Sequence, residues 1–173
     1  MKSLLSERIG IDEINAIVLS VIDSNERKQM LYNLLFDEDD QVSYQAAWVF
    51  THFSSEDNKW LYPKQNELID AVMQCSHPGK RRLLLSMLHR QPMPDPPRTD
   101  FLDYCLEKML SKQELPGVQS LAMKLAYEMC RPIPELLQEL RSTLEMMETD
   151  LLSAGLRTAR NNVIRKLKAK NKK

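Results

Sequence analysis

The sequence predicts an all-α fold: about four antiparallel helix pairs stacked as an α-α superhelix, with one extra helix at the N-terminal end. Three observations predict it. Apolar residues recur at three- and four-residue spacing along almost the whole chain, the period of a helix with one buried face. Only four glycines occur in 173 residues, while Leu, Met, Ala, Glu, Lys, Arg and Gln, all good helix formers, dominate. The apolar marks also return at a period near 38, as they do in arrays of helix pairs.

The spacing predicts helices over 11–23, 25–36, 40–54, 63–76, 79–91, 99–113, 117–130, 133–148 and 153–169. Breakers fall between them: Asp37 to Asp39, Pro63, Pro78-Gly79, the run Pro92-Met-Pro-Asp-Pro-Pro97, Pro116-Gly117, and Pro132 with Pro134. Proline suits a helix start because the N–H it lacks has no partner there. Short connections between most helices imply antiparallel neighbours.

The pairs repeat. Val42, Ala46, Val49, Phe50 and Phe53 shift by 38 onto Lys80, Leu84, Met87, Leu88 and Gln91. A second shift reaches Val118, Ala122, Leu125, Ala126 and Met129, and one of about 37 reaches Gly155, Ala159 and Val163. On the first helices of the pairs, Met30 and Leu34 map to Leu68 and Val72, then to Leu106 and Leu110. Ala46, Ala122 and Ala159 sit where two helices must approach closely. One domain over residues 1–173 is expected, with a basic tail from about residue 168.

Composition narrows the function classes. Apolar content is 43% and charged content 28%, the balance of a folded globular chain. The first residues carry no long apolar core with a cleavage site, and no apolar run is long enough to span a bilayer, so a cytoplasmic protein without a membrane role is expected. Cys75, Cys105 and Cys130 are odd in number and lack Cys-x-x-Cys spacing, which reads as reduced thiols. Charge is uneven. Residues 1–150 hold 16 Lys/Arg against 24 Asp/Glu, whereas residues 151–173 hold eight Lys/Arg and no acid.

The segment Asp39-Asp-Gln-Val-Ser-Tyr-Gln-Ala-Ala-Trp-Val-Phe50 resembles the second helix of a HEAT repeat, which pairs an Asp, a Val and an Ala-Ala. The stretch from Leu115 to Leu167, with Pro134-Glu-Leu and Ser153-Ala-Gly-Leu, is similar to the C-terminal half of small bacterial HEAT-like, armadillo-type proteins. The Arg usual after the HEAT Val is Ser43 in the first repeat and Gln119 in the third; Arg81 keeps it. The resemblance implies packing and partner binding rather than a particular chemistry. HEAT-like DNA glycosylases also resemble this fold, but this chain is shorter, and the face of its second helices opposite the core carries no Asp.

Catalytic and metal motifs are lacking. His52, His77 and His89 have no His or Cys at ligand spacing on the same helix face, and the cysteines lie 30 and 25 residues apart, so no zinc site is expected. The acidic run Asp37-Glu-Asp-Asp40 would need Gly and Glu where an EF-hand places them, but Val42 and Trp48 stand there. Helix capping explains the run better. Phosphate-binding glycine loops and nucleophile elbows are missing too. Neither an enzyme nor a cofactor is expected.

Binding is the remaining class. In helix-pair arrays the second helices usually line the concave side. Turned at 100° per residue, their stripe opposite the core reads Tyr44, Trp48 and Thr51, then Arg82, Ser86 and His89. It continues through Ser120, Lys124 and Tyr127 to Arg157, Asn161, Arg165 and Lys168. Tyr and Trp one helical turn apart are anchor-like. The expectation is a scaffold or adaptor that holds a peptide or helix of a protein partner on its concave face, through Tyr44, Trp48, Arg82, His89, Lys124, Tyr127, Arg157, Arg165 and Lys168. The alternative is a nucleic-acid binder using the basic C-terminal helix.

Overall fold

The computed structural model of the chain describes residues 1–94 and 96–170, with the side chain of Lys170 left aside. The described residues form helices and turns, with no strand among them. A short α1 (Lys2–Leu5) precedes α2 (Ile11–Val21), α3 (Asn25–Asn33), α4 (Asp40–Thr51), α5 (Gln65–Gln74) and α6 (Pro78–His89). Then follow α7 (Thr99–Leu110), α8 (Pro116–Cys130), α9 (Pro134–Met146) and α10 (Ala154–Lys170). Three 3-10 segments, Leu34–Phe36, Asp57–Lys64 and Thr149–Leu151, lie between helices. The chain divides into two compact units, Met1–Gln91 and Pro92–Lys173, at the start of the proline run.

The helix starts follow from their residues. Asp39 Oδ1 accepts from the N–H groups of Gln41 (2.8 Å) and Val42 (3.2 Å), so the acidic run caps α4. Ser24 Oγ caps α3, and His77 Nδ1 caps α6 by accepting from Lys80 N–H at 3.0 Å. Pro78, Pro116 and Pro134 each open a helix.

In the first unit α4 packs against α2, α6 and the 3-10 segment that ends α3. Val42, Ala46, Val49 and Phe50 are wholly buried, and Phe53 nearly so. Tyr32, Phe36, Phe50, Phe53 and Trp60 form an aromatic cluster, with the Lys64 ammonium 4.6 Å from the ring centres of both Tyr32 and Trp60. Gln45 fastens the N-terminal segment to this core. Its Nε2 donates to the carbonyls of Leu5 (2.7 Å) and Glu7, and its Oε1 accepts from Ile9 N–H at 3.2 Å. Lys80, at the place of Val42 in the next repeat, is half-buried, and burial pushes its ammonium pKa down.

In the second unit α8 is the central helix, packed against α7, α9 and α10. Its marks Val118, Ala122, Leu125, Ala126 and Met129 are all buried, as are Ala159 and Val163 of α10. Cys105, Met109, Met123 and Cys130 make this core rich in sulfur.

Two register expectations need correction. On the first helices of the pairs the buried residues are Leu31 and Leu35, then Leu68 and Val72, then Cys105 and Met109. That series steps by 37, so Met30 (52% exposed) and Leu110 (48% exposed) face outward, and Leu34 and Leu106 are half-buried. On α10 the first buried mark is Leu156 rather than Gly155, beside which a Cβ would meet nothing within 4 Å.

The register also explains a sequence departure. Ser43, Arg81, Gln119 and Arg157 stand 38 apart. Arg81 donates to the carbonyl of Cys75, which ends α5, at 2.6 and 3.2 Å. Gln119 donates to the carbonyl of Ser111, which ends α7, at 2.8 Å. Arg157 donates to the carbonyls of Thr149 (3.1 Å) and Leu152 (3.3 Å) in the α9–α10 linker. In three of four repeats, then, this position clamps the turn within its pair by satisfying carbonyls that a helix end leaves open. Ser43 is too short to reach and bonds its own helix at Asp40 O (3.2 Å).

Candidate functional site

α4 is buried over most of its circumference, including Ser43, Gln45 and Ala47. Tyr44, Trp48, Thr51 and His52 form the half-exposed stripe that remains. The Tyr44 ring lies 5.5 Å from that of His77, and a Cβ on Gly79 would stand 3.1 Å from both rings. Gly79 thus lets the aromatic side chain settle over the start of α6. Trp48 meets His52 edge-on at 6.0 Å, while His52 Nδ1 lies 2.9 Å from Trp48 O. Both rings are braced yet keep surface open to solvent. On α6, Arg82 and His89 are exposed.

In the second unit the stripe is less uniform. Lys124 is half-buried on α8. Tyr127 is 5% exposed, with the Lys166 ammonium 5.2 Å from its ring centre, so in this chain it faces its own α10. The simple helical projection left α10 out of account, and that helix covers it. Arg157 is exposed, but its guanidinium is engaged in the linker clamp. Arg165 and Lys168 are exposed and share with Asn161 and Ile164 a polar recess of about 420 Å³. Arg160 closes its base by donating to Leu144 O at 2.6 Å at the end of α9. Glu145 of α9 is the one acid in that lining. The end of the basic run, Lys172 and Lys173, lies outside the described residues.

A surface that sequence reasoning missed lies within the second unit. The turn between α7 and α8 and the linker between α9 and α10 enclose an apolar groove of about 630 Å³, with Met109, Leu110, Met146, Met147, Leu151 and Leu156 in its lining. Its signal in the sequence was the pair of apolar doublets Met146-Met147 and Leu151-Leu152, at the end of α9 and in the linker that follows.

Chemistry is sparse. Among the described residues no group of three or more His, Cys, Asp or Glu could hold a metal ion. Burial pushes the Cys130 thiol up to about 11 and that of Cys105 higher still, which makes both inert rather than nucleophilic. Among the described residues no helix is long and apolar enough to cross a membrane.

Paired helices whose buried marks return every 37 or 38 residues define an α-helical repeat protein. The family model described as a HEAT repeat domain matches residues 1–167, and the chain belongs to that family. Neither the curated proteins nor the solved structures include a match to it. HEAT repeats generally mediate protein–protein interactions, and proteins of the family are typically non-enzymatic scaffolds.

Proposed function

We propose that the chain acts as one non-enzymatic adaptor domain of the cytoplasm, holding a peptide or helix of a protein partner on the outward stripe of its second helices. The observation that carries this reading is the pair Tyr44 and Trp48. They stand one turn apart on a helix buried over most of its circumference, braced by His77 and His52 but part open to solvent. Rigid aromatics of this kind give large contact area for little entropy, and such residues dominate binding energy at interfaces. Arg82 and His89 on α6 add exposed polar contacts in the same unit.

The test compares partners retained by the native chain and by a Tyr44→Ala/Trp48→Ala variant whose fold is verified by circular dichroism. Loss of one anchor costs about 2 kcal/mol, a factor near thirty in affinity. A folded double variant that keeps every partner at native affinity removes the stripe from consideration.

One observation favours a second reading. Asn161, Arg165 and Lys168 lie on an exposed face of α10, and residues 151–173 contain no acid. Phosphate contacts through this helix predict association with RNA or DNA that weakens steeply as salt rises. Fluorescence anisotropy showing no association at low salt ends that alternative.

A further inference from the structure

We infer that the apolar groove of the second unit is a docking site for a short amphipathic helix of a protein partner. Among the described large hydrophobic side chains of this unit, four are strongly exposed: Leu110, Leu115, Met146 (80%) and Leu151 (66%). Three of these line the groove, and Leu115 adjoins Pro116, which also lines it. Uncovered apolar surface costs roughly 25 cal/mol per Å², and its concentration in one place marks an interaction site rather than scattered exposure. Met146 and Leu151 lie beyond the buried stripes of α9 and α10, so the internal packing of the unit does not use them. A volume of about 630 Å³ is within the range of binding clefts, yet the exposed rim suits a macromolecule better than an engulfed small molecule.

The walls determine the kind of occupant. Both are helix ends and turns, and neither offers a strand edge. The turn carbonyls of Ser111, Thr149 and Leu152 already accept from Gln119 and Arg157. An extended segment would find no backbone ladder here, so the occupant must satisfy its own backbone, as a helix does. Met109, Met146 and Met147 are unbranched and adapt to inserted side chains. Charge then selects the flanks. The α7–α8 wall carries exposed Lys112, while its Glu114 is paired with Lys108 at 3.5 Å. The α9–α10 wall carries exposed Glu148. The matching helix has an apolar stripe, acids on the flank toward Lys112 and bases on the flank toward Glu148. Arg157 is a positioning residue for this site, because it holds the linker that forms the second wall.

The probe is a fluorescein-labelled, lactam-bridged synthetic helix of about sixteen residues, with leucines on one face, Glu on one flank and Lys on the other. Anisotropy with the full chain should show saturable binding that weakens at least about tenfold in Met146→Glu/Leu151→Glu, whose exposed positions spare the fold. Lys112→Glu makes both walls acidic and should shift preference about threefold toward a peptide with Lys on both flanks. Glu148→Lys should favour Glu on both flanks to a similar degree. Any of four results overturns the inference: no saturable binding, indifference to Met146→Glu/Leu151→Glu, equal binding of an unbridged non-helical control, or a dimer of the chain that Met146→Glu dissociates. The Tyr44→Ala/Trp48→Ala variant should bind the probe unchanged, so the fate of this groove and that of the α4 stripe are read separately.

Discussion

The two units build the same helix pairs and differ in how they finish them. The first fills its core with Tyr32, Phe50 and Phe53 and seals the N-terminal end with the Gln45 amide, which engages three backbone groups. The second packs the single buried phenylalanine Phe101 among Leu, Val, Ala, Met and Cys and leaves an apolar groove open between its turns. One repeat pattern therefore specifies packing along the pairs but not closure at their edges. Closure depends on single side chains that the pattern does not require.

The largest expected contrast is in the cores. Phe50 is wholly buried among aromatic neighbours, so Phe50→Ala should cost about 4 kcal/mol. Met123→Leu in the other unit conserves volume and should cost less than about 1.5 kcal/mol. Both tryptophans, Trp48 and Trp60, lie in the first unit, so their fluorescence during denaturant unfolding should report the Phe50 change. A loss below about 1.5 kcal/mol for Phe50→Ala would show the aromatic cluster to be loosely packed.

Thiol chemistry sharpens it further. Cys75 is half-buried, whereas Cys105 and Cys130 are buried and their thiols raised by desolvation. Alkylation near neutral pH should label Cys75 first, with Cys130 slowed about a hundredfold relative to an ordinary thiol through its smaller thiolate fraction alone. Mass spectrometry of the labelled native chain checks the order, and rapid labelling of Cys130 would show the second core to be open.

A smaller effect belongs to the polar fastening. Gln45→Ala leaves the backbone groups of Leu5, Glu7 and Ile9 without their partner, at a cost of about 1–3 kcal/mol. Amide hydrogen exchange should accelerate over residues 5–9 and stay unchanged in α8. The least effect is electrostatic. The Lys2 ammonium, 2.7 Å away, and the Asp39 N–H hold the Asp37 carboxyl below the usual carboxylate range. A depressed carboxylate stabilises the fold above its unfolded pKa, and that contribution fades as pH falls through the folded value. Stability curves of the native chain and Asp37→Asn should thus differ near neutrality and converge in acid. A gap that widens in acid would reverse the sign.

Much of this fold was legible because the second helices carry most of their marks plainly, Lys80 and Gly155 aside. Ala46, Ala122 and Ala159 are all buried, as close helix approach demands. The first helices were harder to read. Adjacent apolar residues such as Met30-Leu31 and Leu34-Leu35 allow either register by spacing alone, and only packing chooses Leu31 and Leu35. Of the expected binding residues, Tyr44, Trp48, Arg82, His89, Lys124, Arg157, Arg165 and Lys168 retain accessible surface. Tyr127 does not, because a one-helix projection cannot see a neighbour that covers it. The clamp made by Arg157 was illegible for a related reason, and the groove beside it was marked only by apolar doublets: both are made by turns, where no periodicity operates.

Site-specific photo-crosslinking tests the central claim most directly. With the photoreactive residue at position 48 of the full chain in its own cell, a discrete protein adduct should form that is absent when the same group replaces exposed Glu135 on α9. No protein adduct from position 48, or the same adducts from both positions, would contradict the account.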